Sequence, residues 1–311
     1  WRSTTTIRYD LPGDVNTFNF SGVKVLNQQN LVTASRVGSS LSVFRNGEAA
    51  SQNPITVDSE DVITHTDIMD SWDDGHFQEN IVWNKDLDSS RFDIQQNVHD
   101  AFDTFPLEDA DTTHESGFLK EFSGAAGAYS VRKLGDSPVC MRVRKSVSSV
   151  DYYQVIGFDS NGGLDTAAIS EFGGSNDVYV HTWYDQSGNG RHQVQDTNAD
   201  QPKIYDGTDG FYYTEGNVAI FFEDQGMEDS SDNQITVLDQ SVFVVAEMRS
   251  SAPQDRGVFV GHTDGGTYQV YAAQVWGGAT DLLADRMISY AGPSQVDRVN
   301  LPLALDVKQN L

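Results

Sequence analysis

Short runs in which apolar and polar residues alternate recur along the chain and predict β-strands. β-Branched and aromatic residues are concentrated in these runs, which favours extended backbone over helix. The segments Asn46-Gly47 and 263–267 separate neighbouring runs and are typical of tight hairpin turns. The predicted strands lie in residues 4–11, 16–26, 39–51, 137–146, 176–185, 216–224, 240–248, 256–263 and 267–276.

Alternation also assigns side chains to the two faces of a strand, because successive side chains point to opposite sides. In residues 137–146, Cys140, Arg142 and Arg144 share one face, and Val139, Met141 and Val143 share the other. In residues 176–185, one face carries Tyr179, His181 and Trp183, and the other carries Val178, Val180, Thr182 and Tyr184.

Helix signals are few and short. Ser123 is placed to cap a helix over residues 124–134, with Gly135 as its stop. Asp165 is placed to cap a second helix over residues 166–172, which Gly173 and Gly174 would end. Many strands with few short helices predict an all-β fold built as an antiparallel sandwich.

Changes in character along the chain predict two domains. Residues 1–102 are expected to form a β-rich assembly or attachment domain, and residues 123–311 a β-sandwich. Residues 103–122 are polar, contain Pro106 and are predicted to be a linker. Because the chain begins at Trp1 without a start methionine, we expect processing or a longer parent chain, with an incomplete C-terminal domain.

Charge excludes several classes of partner. The chain carries a net charge of −26, which repels phosphate backbones and anionic lipids and argues against nucleic-acid binding. No apolar run approaches the roughly 20 residues needed to cross a bilayer, so membrane insertion is not expected. Cys140 is the only cysteine, which excludes internal disulfides and cysteine zinc clusters.

Residues 182–192, TWYDQSGNGRH, combine aromatic, acidic and amide side chains in a Gly-rich segment. One interpretation is a carbohydrate-binding cleft lined by Trp183, Tyr184, Asp185 and Asn189. Aromatic rings pack on the C–H groups of a sugar, and a carboxylate with an amide binds its hydroxyls.

The same segment is also explained as a tight corner. Gly188 and Gly190 would supply positive φ angles. Asp185 and Ser187 would accept hydrogen bonds from nearby backbone amides, as short polar side chains do in turns.

Oxygen donors in residues 159–165, DSNGGLD, raise the possibility of a cation site. Asp159, Asn161 and Asp165 stand at alternating positions, as in calcium loops, and Ca²⁺ is the cofactor that this spacing would suit. A turn followed by a helix cap explains the same residues without a metal, and the bidentate Glu of an EF-hand loop is missing. The acidic segments 58–61, 70–76 and 108–115 are open to both interpretations, as solvated loops or as cation sites at a subunit contact.

Several pieces of residues 123–204 occur together in an order that resembles a known family. They are GAYSVRKL, MRVRKS, IGFDSNGGLDTAAI, VHTWYDQSGNGRHQVQ and NADQPKIYDG. They resemble the concanavalin-like jelly-roll domain of the family that includes fungal α-L-arabinofuranosidase B, in the form found in phage structural proteins. The resemblance covers roughly residues 120–285 and implies a jelly-roll β-sandwich.

The enzymes of this family are retaining glycosidases, so the resemblance implies a carboxylate nucleophile and a carboxylic acid/base. The place that matches the family's Gly-X-X-Glu nucleophile pattern holds Asp264, whose shorter side chain displaces the carboxylate. The family's neighbouring cysteines are missing before this strand, and no acid/base matches. These departures argue against hydrolysis, so no catalytic residue is assigned; Asp264, Glu247, Glu223 and Asp185 are the carboxylates to test.

The resemblance favours a phage virion protein, part of a tail fibre, tail appendage or head fibre, which places the chain in the virion. Its jelly roll would contact host surface glycans or mediate adhesion, and its partners would be other virion proteins and further copies of itself, as a trimer in a fibre. Two alternatives stay open: a glycoside hydrolase of arabinofuranosidase type, and a structural capsid or tail component without a ligand.

Overall fold

The computed structural model describes most of residues 29–249 and several shorter segments around them. The described residues are 4–11, 14–21, 29–49, 54–56, 74–83, 85–102, 117–223, 225–230, 240–249, 256–258, 261–264, 267–270, 274–276 and 286–287. They form an all-β fold with a large antiparallel sheet and few short helices, as predicted. This architecture is compatible with a jelly-roll β-sandwich.

The elements follow one another closely along the chain. The strands up to residue 130 are β1 (Thr4–Leu11), β2 (Asp14–Ser21), β3 (Gln29–Val37), β4 (Ser40–Arg45), β5 (Glu48–Ala49), β6 (Ile55–Thr56), β7 (Asp74–Trp83) and β8 (Ala125–Ser130). The next are β9 (Val139–Val147), β10 (Val150–Gly157), β11 (Val178–Trp183), β12 (Gln193–Val194), β13 (Lys203–Asp206), β14 (Gly210–Phe211), β15 (Tyr213–Thr214), β16 (Asn217–Val218), β17 (Ile220–Glu223) and β18 (Glu228–Asp229). The last are β19 (Gln240–Arg249), β20 (Arg256–Val258), β21 (Gly261–Asp264), β22 (Thr267–Val270), β23 (Gln274–Trp276) and β24 (Arg286–Met287). The helices are α1 (Arg91–Phe102), α2 (Phe118–Glu121) and α3 (Thr166–Gly173), with 3-10 turns at Asp88–Ser90 and Asn198–Asp200.

One large sheet joins strands from both predicted domains. Its main path runs β10, β9, β11, β13, β17, β7, β19, β3, β4 and β5. Strand β7 precedes the predicted linker, yet it pairs with β8, β17 and β19, which follow it. The described residues on the two sides of positions 103–116 therefore share one sheet and one hydrophobic core. A separate sheet has the order β2, β1, β24, β23, β20.

Core side chains lie on both faces of the central strands β7, β19 and β3, and on one face of β11. Phe77 of β7 contacts Phe222 of β17 edge to face, with ring centroids 5.4 Å apart. Trp83 contacts Phe243 of β19 in the same way at 5.4 Å, and its indole N–H donates to the carbonyl of Phe122. Such aromatic pairs stabilise a core beyond the area that they bury.

The helix predicted over residues 124–134 is wrong. Residues Ala125–Ser130 form strand β8, whose six residues are all buried. Its small side chains favour helix locally, but they also let neighbouring elements approach both faces of an extended strand. Tertiary packing and pairing with β7 therefore outweigh the local preference.

The second predicted helix is confirmed, since α3 spans Thr166–Gly173 and Asp165 accepts a hydrogen bond from the amide of Ala168. Its end is also as predicted, with Gly174 at a φ of 61°. The Asn46-Gly47 turn is confirmed too, because both residues have positive φ and join β4 to β5.

The predicted alternation of β11 is wrong at its end. A register shift falls between Val180 and Thr182, so Thr182 opposes Arg142 and Trp183 opposes Met141. This bulge exchanges the faces of the last two residues and turns Trp183 into the core, where it is fully buried.

Two further findings complete the fold. Among the described residues, no helix has the length and apolar character needed to cross a membrane. Most of the predicted linker and of the acidic segments 58–61, 70–76 and 108–115 lies outside the described residues.

We expect Gly207→Ala to destabilise the protein by about 1–3 kcal/mol, the usual cost of overpacking. A Cβ atom at Gly207 would lie 2.4 Å from the carbonyl oxygen of Ser175, and backbone atoms cannot rotate away. The matched control is Gly135→Ala, whose Cβ would make only ordinary contacts, the nearest at 3.5 Å. Urea unfolding followed by tryptophan fluorescence measures both variants, and equal stability of the two would contradict the expectation.

Candidate functional site

The segment that follows β11 lies along the free edge of β8. Asp185 is buried, and its Oδ1 accepts hydrogen bonds from the amides of Ala128 at 2.9 Å and Ser187 at 2.8 Å. Its Oδ2 accepts from the Ser187 hydroxyl at 2.8 Å and from the Arg191 amide at 3.2 Å. The carboxylate therefore holds the loop closed and binds it to the strand.

Two amide side chains continue this edge. The backbone amide of Gln186 donates to the carbonyl of Ala128, and its side-chain Nε2 donates to the carbonyl of Ser130 at 3.1 Å. Nδ2 of Asn189 donates to the carbonyls of Ala125 at 2.8 Å and Ala126 at 3.2 Å. The loop thus satisfies backbone groups of β8 that a neighbouring strand would otherwise have to satisfy.

The four predicted carbohydrate-binding residues are close in sequence but have different environments. Trp183 is fully buried, and Asp185 and Asn189 bond to the backbone of β8 and the loop. Tyr184 is half-buried, with its ring edge to face with His192 at 5.0 Å. Gly188 and Gly190 have the positive φ angles that the corner interpretation predicts. These contacts fit a tight corner, and sugar binding at this segment stays a prediction.

The calcium candidates also have local roles. Oδ1 of Asp159 accepts hydrogen bonds from the amides of Asn161 at 2.8 Å and Gly163 at 2.9 Å, and Asp165 caps α3. Over the part of the chain that the structure describes, no group of three or more His, Cys, Asp or Glu could hold a metal ion.

The catalytic candidates lie on separate strands. Glu223 is exposed at the end of β17, and Asp264 ends β21 opposite Thr267. Glu247 is mostly buried on β19, opposite His76, and its Oε2 accepts a hydrogen bond from the Thr214 hydroxyl at 2.9 Å. Their catalytic role stays a prediction.

A row of aromatic and charged side chains crosses the sheet; on β9, β11 and β13 it lies on the face opposite the buried apolar residues. Directly opposed residues in a sheet share a face, so strand register places these side chains together. The opposed pairs are Tyr153 with Arg144, Arg144 with Tyr179, Tyr179 with Lys203, Lys203 with Phe221, and Phe221 with His76. We call this row, without the buried His76 and with the neighbouring Arg142 and His181, the aromatic–basic face. It consists of Tyr153, Arg142, Tyr179, His181, Lys203, Phe221 and the buried Arg144.

Lys203 is at the middle of the aromatic–basic face and is held by two carboxylates. Its Nζ lies 2.8 Å from Oδ2 of Asp177 and 3.3 Å from Oδ2 of Asp206. Burial lowers the pKa of Lys203, but the hydrogen bond that it donates to Asp177 and its interactions with Tyr212 and Asp206 outweigh burial and raise that pKa overall. For Asp177, burial alone would raise the pKa, yet the bonds from Lys203 and the Gly207 amide lower it.

Tyr179 lies between two cations. The guanidinium of Arg144 is 5.0 Å from its ring centroid, and the ammonium of Lys203 is 5.7 Å from it. Arg144 is itself fixed by hydrogen bonds to Gln201 at 2.6 Å and Asp151 at 2.9 Å. Burial, followed by the charge of Asp177, raises the pKa of Tyr179, so its hydroxyl remains protonated at neutral pH.

The β10 end of the face is the most accessible. The ring of Tyr153 is 41% exposed and carries the guanidinium of Arg142 at 4.3 Å from its centroid. His181 meets the same ring edge to face at 5.5 Å, and its Nε2 lies 3.4 Å from Asp196. Burial and the nearby Arg142 lower the pKa of His181, which favours its neutral form at pH 7.

The opposite end of the row is closed by the hairpin of β15 and β16. The Tyr212 ring, just before β15, stacks on Phe221 at 4.7 Å. Thr214 is buried, and its hydroxyl lies 2.8 Å from Nδ1 of His76 and donates to Glu247. The hairpin therefore covers His76 and ends the face at β17.

Sequence reasoning found parts of this face but not the whole. Alternation correctly grouped Arg142 with Arg144 on β9 and Tyr179 with His181 on β11. The register that aligns them with Lys203 depends on pairing between distant segments, which the sequence alone does not reveal.

We expect Asp185→Asn to lower the free energy of unfolding by about 1–3 kcal/mol, because an amide nitrogen cannot accept the bonds that one carboxylate oxygen accepts. Asp185→Ala, which removes all four bonds, is expected to cost more. The control is Asp200→Asn on the exposed 3-10 turn, with little expected change. Urea unfolding at pH 7 tests this, and wild-type stability of Asp185→Ala would overturn the structural role of the carboxylate.

We expect Lys203→Met to destabilise the protein by about 0.5–1 kcal/mol at pH 7, as for a partly exposed ion pair. The lowered pKa values of Asp177 and Asp206 mean that their stabilisation is present above about pH 4 and is lost as pH falls further. Because the pKa of Lys203 is raised, its own contribution is fully present below about pH 10.4 and is lost only as pH rises from there through the higher folded pKa.

The stability difference between wild type and Lys203→Met should therefore shrink when urea unfolding is repeated at pH 3. Lys120→Met is the control, since Lys120 pairs with Asp136 on the open surface. A deficit of the same size at pH 3 and pH 7 would show that packing, not charge, accounts for the effect.

No family model matches the chain, and comparison with curated proteins and with solved structures finds no match either. Support for a function therefore comes from the geometry of the site and from the resemblance of the motifs in residues 123–204.

Proposed function

We propose that this chain is a carbohydrate-binding adhesion module of a phage virion protein, and that glycan binds on the aromatic–basic face. The observation that carries the proposal is the position of the face. Aromatic rings and charged groups, most of them partly accessible, lie in register across five adjacent strands, and on β9, β11 and β13 they are opposite the buried apolar residues.

The chemistry of the face suits a saccharide. A sugar ring has an apolar C–H surface, which packs on aromatic rings such as Tyr153 and Tyr179, and a rim of hydroxyls that needs hydrogen-bonding partners. The carboxylates of Asp177 and Asp206 lie beside Lys203, and carboxylate oxygens can accept hydrogen bonds from the hydroxyls of a sugar. Because ion pairs hold these groups in place, little ordering is needed when a ligand binds.

The virion assignment is supported by the sequence. The motifs of residues 123–204 resemble the jelly-roll domain in the form found in phage structural proteins. Assembly with other virion proteins or with further copies of the chain would also cover β10, an edge strand on which Val150, Tyr152 and Val155 are exposed. A homo-oligomer, such as a trimer, would suit a fibre.

We expect Tyr153→Ala and Tyr179→Ala each to weaken glycan binding at least about tenfold, a loss of about 1.4 kcal/mol from a lost stacking surface. A glycan array first identifies a binding saccharide, and calorimetry then measures its affinity for each variant. Tyr213→Ala is the matched control, because Tyr213 is 53% exposed and its ring contacts Phe211 rather than the face.

Three outcomes would contradict the proposal in different ways. Binding that both substitutions leave unchanged would place the ligand elsewhere, with the loop of Asp185 and Asn189 as the next site to test. Turnover of a chromogenic arabinofuranoside that Glu247→Gln or Asp264→Asn abolishes would favour a hydrolase. Absence of binding across the array, together with assembly into a large particle, would favour a purely structural component.

A further inference from the structure

We infer that Arg142 is the anion-binding residue of the aromatic–basic face, and that the saccharide recognised there carries a carboxylate. This inference rests on the proposed function and adds the chemical class of the ligand. It follows from how charge is distributed among the cations of the face.

Two of the three permanent cations on the face are already paired. Arg144 has Asp151 at 2.9 Å, and Lys203 has Asp177 at 2.8 Å with Asp206 close by. A bound anion gains little from a cation whose charge a carboxylate already balances.

Arg142 differs from them. Within the residues that the structure describes, it makes no ion pair, and its guanidinium lies over the Tyr153 ring at 4.3 Å. The side chain is half-buried, so an ion pair formed there would be less screened than one in open solvent. The ring holds the guanidinium plane while the N–H groups at its edges stay available, which is the geometry that bidentate carboxylate binding needs.

The acidity of the whole chain favours a local contact over long-range attraction of an anionic ligand. A net charge of −26 repels an anionic ligand at long range, so steering by a broad positive field cannot account for its capture. Recognition must then come from a short-range, preformed contact. The neighbouring His181 does not compete as a cation at neutral pH, because burial and the charge of Arg142 lower its pKa.

A matched pair of polymers tests the inference directly with the full chain. Polygalacturonate carries one carboxylate on each sugar, and reduction of its carboxyl groups gives a neutral polymer of the same linkage. Dextran sulfate serves as a second polyanion, with sulfate esters in place of carboxylates. Affinity for each is measured by biolayer interferometry with the polymer immobilised.

Wild type is expected to bind polygalacturonate at least tenfold more tightly than the reduced polymer or dextran sulfate. Arg142→Gln is expected to remove that preference, weakening binding to polygalacturonate at least tenfold while changing binding to the reduced polymer less than twofold. Lys120→Gln is the control for the loss of one positive charge away from the face and should leave both affinities unchanged. Arg142→Lys keeps the positive charge but loses the paired N–H donors of the guanidinium, so it should keep part of the preference for polygalacturonate. The same variant replaces Arg142→Gln as the test if the Gln variant misfolds.

The outcomes separate this inference from the function on which it rests. The inference would be overturned if Arg142→Gln weakened binding to both polymers equally, or if wild type showed no preference for carboxylates. In that case, loss of glycan binding in Tyr179→Ala would still support the proposed function. Dextran sulfate bound as tightly as polygalacturonate would overturn carboxylate recognition. Failure of Tyr153→Ala and Tyr179→Ala to affect any glycan would overturn the function itself.

Discussion

The backbone N–H and C=O groups on the free edge of β8 need hydrogen-bonding partners, although no strand among the described residues pairs with that edge. The arrangement of the large sheet depends on the loop that supplies these partners. One edge of β8 pairs with β7, and the loop after β11 covers the other through Asp185, Gln186 and Asn189. Unsatisfied backbone groups at that buried edge would each cost about 1–3 kcal/mol. The loop therefore fixes the end of β11 relative to β8, and with it the position of the neighbouring strands.

With β11 fixed in this position, its two large aromatic side chains lie on opposite faces of the sheet. The bulge in β11 turns Trp183 toward the core, while Tyr179, before the bulge, stays on the opposite side beside Lys203. The same strand thus supplies one large aromatic side chain to the core and another to the accessible face. Two aromatic residues four positions apart, which look alike in the sequence, therefore have different environments: Trp183 is fully buried and Tyr179 is partly accessible.

Features that depend on residues close in the chain could be predicted from the sequence. Features that depend on pairing between distant segments could not. The all-β class, the Asn46-Gly47 turn, the cap at Asp165 and the glycines of the corner all follow from residues close in the chain. Strand β8 was mistaken for a helix because its alanines and glycine carry no strand signal until β7 lies beside them. The aromatic–basic face was found only in part, because its register joins strands drawn from residues 142 to 221.

The hairpin that covers His76 also gives the face a direction. Tyr212 and Thr214 stand at one end of the row, over Phe221 and His76, whereas Tyr153 at the other end lies on a strand with no further neighbour in the described sheet. A linear polymer lying along the row can extend past Tyr153 but is blocked at the other end by Tyr212. If the proposed glycan lies along the row, it can therefore continue only on the β10 side, beyond Tyr153.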